Sequence, residues 1–469
     1  VVDVLAETDG KAFKTDFRRM AFMNNNFRYI ALLLFVLAIQ IISAGSAQAI
    51  PAFSREHNTE CATCHTIFPE LNEYGDVFMK NGFVWNKAKK DDAAIKAAGE
   101  SQDMQKQSAA AQSAGPLLGA PAKSEPLWLA GLPQTLPVSL AATLNASYNN
   151  DVDIHKVDLS TRAVSLLAGG VFREKIGFYL KYNLYAEGEF DPAVSNTPLN
   201  LSPPYANDLE EFYLIWRNTL GTPVNLKVGR FRPTLSLWKK SNKVGVSDYV
   251  TSSFRVGSSL FSADATEDAI EANAVLLKRL FIAAGVVDRN GQDTNEGYGH
   301  ISLKIGGADF KGTEPEIDLD KESFLDYVYL IIGGYGYSGR NSGSITSSQR
   351  NNFYRAGADI DLVIKNARLK LAFARERDTN PDFASQVETT TNTWAGQVEY
   401  MFTPDFMAYF RYELLDLDGG SRINHYIPGI SFAPIQNTKV TLEYQHVDAE
   451  KSSVFNDNDI VLLGVRVAL

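Results

Sequence analysis

Cysteine is almost missing from this chain, with two in 469 residues. That scarcity excludes a disulfide scaffold, a Cys-rich zinc array and an iron-sulfur cluster held by four cysteines of this chain. Basic charge is in deficit too, with 45 Lys and Arg against 55 Asp and Glu and a formal charge of −10. Such a surface does not neutralise a phosphate backbone, so no nucleic-acid partner is expected. What is present is 45% apolar and 11% aromatic residues, enough for a large folded body and unlike collagen or a disordered chain.

The uncharged run from Tyr29 to Ile39 follows Arg28 and precedes the small-residue site Ala47-Gln48-Ala49. Those are the three regions of a secretory signal, over residues 23–49. A membrane anchor is the competing reading, but the run is shorter than the ~20 residues of a spanning helix. Cleavage leaves Ile50 onward. Met20 or Met23 can serve as the start, and residues 1–22 are set aside as an upstream extension.

Cys61-Ala62-Thr63-Cys64-His65 is a C-x-x-C-H sequence, the attachment pattern of c-type haem. Two thiols at this spacing add to the two vinyl groups of one macrocycle, and the next residue lies under the iron as its proximal imidazole. One covalent haem c is therefore expected, on Cys61 and Cys64, with His65 as axial ligand. A thioredoxin-like pair is disfavoured because no βαβ pattern surrounds the site.

Downstream, Pro69 to Gly82 reads as one short helix, with Pro at its start and Gly past its end, and Leu71, Tyr74 and Phe78 on one face. Met79 and His57 lie nearest in sequence as sixth iron ligands; a barrel residue, water or an open position are the alternatives. Met79 lies about 80° round the helix from Leu71 at ~100° per residue. A Met ligand would raise the potential relative to a second His. Residues 50–86 form a unit below the ~40 residues at which domains fold unaided, so the segment is expected to use the macrocycle as its core and lean on something larger.

Residues 87–126, rich in Ala, Lys, Gln and Ser and later in Pro, read as a flexible linker. From there to residue 469 the pattern has period two. In one segment Ala367, Leu369, Leu371 and Phe373 oppose Arg368, Lys370, Ala372 and Ala374; in another Phe406, Ala408, Phe410, Tyr412 and Leu414 oppose Met407, Tyr409, Arg411 and Glu413. Short turns such as Thr403-Pro404-Asp405 alternate with long polar ones such as Glu376 to Thr391. That asymmetry predicts a transmembrane antiparallel β-barrel over 127–469 rather than a soluble β-sandwich. Strands centre near 136, 160, 178, 209, 225, 270, 281, 300, 327, 354, 368, 394, 406, 424, 439 and 460, about sixteen in all. Thr234 to Asp268 breaks the period and is read as a constriction loop.

Ile50-Pro51-Ala52-Phe53-Ser54-Arg55, the C-x-x-C-H, Phe68-Pro69-Glu70-Leu71, Gly75, Phe78 and Asn81-Gly82 together resemble the fused monohaem cytochrome-porins of iron-oxidising bacteria. The resemblance implies an outer-membrane protein in which a small helical haem domain plugs a barrel, inside it or at its periplasmic mouth. It also implies one-electron, outer-sphere transfer from extracellular Fe(II) or another reductant to a periplasmic c-type cytochrome or other soluble carrier, an iron-oxidase activity that needs no acid-base residue. Acidic residues such as Glu314, Glu316, Asp318 and Asp320 are expected in a hydrophilic loop that could concentrate cations. The rival readings are a solute channel with a structural haem plug, and a haem enzyme or gas sensor with an open iron position.

Overall fold

A computed structural model describes Phe53 and residues 63–84, 138–151, 156–186, 208–239, 242–257, 259, 261–289, 296–311, 328–342, 349–384, 387–435, 437–450 and 457–468. The signal segment, the linker, His57, Cys61 and the acidic residues from Glu314 to Asp320 lie outside these residues.

The N-terminal segment contains a small antiparallel pair, β1 (His65–Ile67) and β2 (Glu70–Leu71), followed by helix α1 (Glu73–Lys80). The expected helix is thus shorter, and Pro69 to Leu71 are not part of it. Asn72 is the reason: its side chain accepts from the N–H groups of Tyr74 and Gly75, both at 3.0 Å, an N-cap that starts the helix one residue later. Leu71 lies off the helix, leaving Tyr74 and Phe78 one turn apart.

The rest is one closed barrel. Its strands are β3 (Val138–Asn149), β4 (Val157–Phe172), β5 (Ile176–Ala186), β6 (Asp208–Trp216), β7 (Val224–Phe231), β8 (Glu267–Leu276), β9 (Leu280–Asp288) and β10 (Glu296–Gly306). They continue with β11 (Val328–Ser342), β12 (Arg350–Ile364), β13 (Ala367–Asp378), β14 (Thr389–Thr403), β15 (Phe406–Asp416), β16 (Arg422–Ile435), β17 (Thr438–Glu450) and β18 (Asn458–Ala468). Each pairs antiparallel with its sequence neighbours, and β18 closes on β3 with Val467 opposite Ala142. Closure satisfies every edge, as a sheet surrounded by lipid requires.

The alternation sorts as the sequence predicts. On β13 Leu371 is exposed while Arg368 and Lys370 are buried; on β15 Phe410 is exposed while Arg411 and Glu413 are buried. Apolar side chains face outward and charges inward, the reverse of a water-soluble fold. Trp216, Tyr400, Phe402 and Phe432 are exposed near one rim and Tyr354 and Tyr426 near the other, matching interfacial aromatic girdles.

The rim that carries the turns 173–175, 277–279, 365–366, 404–405 and 436–437 is the periplasmic one in barrels of this kind. The connection from Gly306 to Val328 leaves from this same rim. Its length does not make it an outer loop, because strand parity fixes the side on which a connection emerges.

Between β7 and β8 the chain turns into the lumen. Its short helix α2 (Val250–Ser253) lies against β13, β14 and β15. The loop is pinned to distant walls: the N–H of Val246 donates to Glu443 at 2.9 Å and that of Val250 to Glu413 at 2.9 Å. Trp238 and Tyr249 pack edge to face, 4.7 Å between centroids. This is the constriction loop that the break in periodicity indicated.

Candidate functional site

The segment Thr63–Val84 sits in the short-turn mouth of the barrel, tied to its walls on several sides. Glu70, fully buried, pairs with Lys370 and lies 3.4 Å from Arg368, both near the start of β13. Lys370 also reaches Glu399 at 2.5 Å, and Arg368 reaches Asp361 at 2.7 Å. Elsewhere Lys304 of β10 pairs with Glu73 at 2.5 Å, and Asn81 donates to the Phe310 carbonyl at 2.8 Å. The inward loop contributes Asn242, whose side chain accepts from the Leu71 N–H at 3.0 Å. An aromatic cluster completes the seat: Phe53 packs on Phe78 and Phe83, and Phe83 on Tyr179 and Tyr213.

Within the segment one residue, Asn72, organises the motif. Its N–H donates to the Cys64 carbonyl at 3.0 Å and its side-chain amide to the Thr63 carbonyl at 3.1 Å. Helix α1 approaches so closely that a Cβ on Gly75 would lie 2.1 Å from the Cys64 oxygen, so only glycine fits there.

His65 Nδ1 faces two carbonyl oxygens, Pro69 at 3.2 Å and Glu70 at 3.3 Å. Both can only accept, so the proton belongs on Nδ1 and the lone pair on Nε2. Burial lowers the imidazole to about 4, which keeps it neutral. A neutral imidazole whose other nitrogen donates to a carbonyl is the usual state of a metal-ligating histidine. The residues present therefore fit a c-type haem: Cys64 for one thioether and His65 for the iron, with Cys61 outside the described residues.

Met79 lies one turn along α1 from Gly75 and packs, partly buried, against the aromatic cluster. Among barrel histidines, His300 Nδ1 contacts the Leu235 carbonyl at 2.7 Å and His446 Nδ1 contacts Asp459 at 2.7 Å. Among the described residues no group of three or more His, Cys, Asp or Glu forms a metal site.

Glu70 belongs to the segment that carries the resemblance, but Asn72, Asn242, Arg368, Lys370 and Lys304 were not singled out by sequence as parts of this site. The signal for Arg368 and Lys370 was present, since both fall on the charged face of their strand; what they pair with depends on tertiary structure.

No family model matches the chain, and no curated protein does. Among solved structures it is similar to an anion-selective porin from Comamonas acidovorans, at 11% identity and a TM-score of 0.52, over 71% of this chain and 99% of that one. It is also similar to the outer membrane channel DcaP of Acinetobacter baumannii, at 9% identity and a TM-score of 0.46, over 71% and 96%. At such identity the likeness is one of fold. The closed sixteen-strand antiparallel barrel, its outward apolar belt and the fold it shares with the Comamonas porin make the chain an outer-membrane β-barrel.

Proposed function

We propose that this protein is an outer-membrane electron conduit, in which one haem c, bonded to Cys61 and Cys64 and ligated by His65, passes single electrons from an extracellular donor to a soluble periplasmic carrier. Fe(II) is the donor the sequence resemblance favours, and a periplasmic c-type cytochrome the acceptor, which would make the protein an iron oxidase. The observation that carries the proposal is the seat of Cys64 and His65 in the barrel mouth, with His65 Nδ1 held by two carbonyls.

When bound, the haem supplies the reversible one-electron chemistry. The chain's own part is positional. His65 presents Nε2, Asn72 and Gly75 hold Cys64 beside it, and the ion pairs of Glu70 and Glu73 fix the segment to the wall. The seat faces the rim where a soluble carrier would dock. Met79 and His57 remain the proposed sixth ligands.

A solute channel with a structural haem plug is the second reading, favoured by the porin fold and by a narrow cavity between the inward loop and β13, lined by Arg232, Trp238, Lys239, Thr251 and Asp264. Stopped-flow mixing of the purified protein with Fe(II) separates the two. Growth of the reduced haem α band supports the conduit; a covalent haem that stays oxidised in a protein that conducts ions supports the channel.

A further inference from the structure

Among the described residues two cations on the lumen face are in direct contact with no carboxylate, although Glu210 acts on Arg466, and Glu70 and Glu443 on Lys439, from farther off. Arg466 and Lys439 are directly opposite one another on β18 and β17. Lys439 is 5% exposed, and its ammonium donates to the Val244 carbonyl at 2.6 Å and the Lys243 carbonyl at 3.4 Å. The Arg466 Nε is buried without a hydrogen-bond partner, and its guanidinium stacks 4.9 Å from the centre of the Phe68 ring. Phe68 in turn packs edge to face on His65, 5.2 Å between ring centres. Among the described residues neither cation forms an ion pair, although Arg232, Arg289, Arg355, Arg368 and Lys370 in the same lumen all do.

Burying a cation without a counter-charge costs several kcal/mol. An adjacent buried pair is worse, because like charges repel. Neutral carbonyls and an aromatic face offset part of that cost, but a carboxylate offsets far more. The pair lies one aromatic ring away from the imidazole that would hold the iron, and haem carries two carboxylates of its own.

We propose that Arg466 and Lys439 receive the propionate carboxylates of the haem, so that the barrel wall and not the N-terminal segment neutralises the cofactor. This rests on the reading of the protein as a haem conduit. It assigns to the last two strands a part in binding a group attached to the other end of the chain. A carboxylate-bearing solute passing through the barrel is the other source of the same chemistry.

The test uses full-length protein purified in detergent, as Arg466→Gln, Lys439→Gln, the charge-preserving Arg466→Lys, and Lys278→Gln as an exposed control. Covalent haem is read on denaturing gels, the midpoint potential by redox titration, and the propionate bending band by resonance Raman. Loss of either lumen cation should lower the midpoint potential and shift the Raman band, with Arg466→Lys restoring much of both and Lys278→Gln changing neither. Loaded haem with unchanged potential and band in both glutamine variants overturns the assignment and leaves the conduit standing. If Arg466→Gln fails to fold, Lys439→Gln and Arg466→Lys decide by the same two readouts. Wild-type protein without covalent haem, whose bilayer anion selectivity falls in Arg466→Gln, overturns both this assignment and the conduit in favour of a solute site.

Discussion

Glu70 and Lys370, 300 positions apart in the chain, form a buried ion pair that joins the N-terminal segment to the barrel wall. Arg368 adds a second cation at 3.4 Å and donates to the Leu71 carbonyl at 3.3 Å. This is one of the contacts that seat Cys64 and His65 in the barrel mouth.

Glu70→Gln should therefore release the segment without unfolding the barrel. Removing one member of a buried pair costs about 3–5 kcal/mol, and the lower figure applies because Glu399 still partners Lys370 and Asp361 still partners Arg368. Limited proteolysis should cut the variant between residues 63 and 84 much faster than wild type. Equal resistance would show that the ion pair is not the anchor.

Gly75→Ala should impair haem attachment. Its Cβ would meet the Cys64 carbonyl at 2.1 Å, and since that atom is backbone, α1 must move away and carry Asn72 with it. Covalent haem per chain, read by haem staining, should fall severalfold while heat-modifiable barrel migration persists. Full haem loading would contradict the close packing.

Acid should leave the segment docked to unusually low pH. Burial raises the carboxyls of Glu70 and Asp76, but Lys370 and Arg368 at the first and Lys80 at the second outweigh it, holding both below the ordinary carboxylate range. Groups depressed in this way stabilise fully above the unfolded value, about 4 to 4.5. That stabilisation is lost only as pH falls through the lower folded values. Protease protection of the segment should thus be constant from pH 7 to about 5 and decline below about 4. Release with a midpoint above pH 5 would contradict these assignments.

The inward loop depends on Glu443, which accepts from the N–H groups of Val246 and Ser247 and from the Tyr409 hydroxyl at 2.7 Å. Bonds to a charged acceptor contribute about 1.5–3 kcal/mol each, so Glu443→Ala should loosen the loop and raise single-channel conductance in planar bilayers. Conductance equal to wild type would mean that the loop holds its place without this residue.

The barrel was legible because period two and apolar-charged alternation are local. Leu371 against Lys370, or Phe410 against Arg411, already separates lipid from lumen, and all sixteen proposed centres fall in or within two residues of a strand. The start of α1 was less so, since the helical reading of Pro69 to Leu71 took no account of Asn72, whose side chain caps the helix by accepting from the N–H groups of Tyr74 and Gly75. Asn72 and Gly75 hold Cys64 through backbone contacts that residue type alone does not announce.

The central claim is that charge crosses the membrane through a haem on His65. It is tested most directly in liposomes containing the protein and enclosing a soluble c-type cytochrome, with Fe(II) held outside in a chelate too large to pass the barrel. The account predicts that the enclosed cytochrome is reduced by wild-type protein and not by His65→Ala, which should retain barrel migration on gels. No reduction with wild type, or an equal rate with His65→Ala, would contradict it.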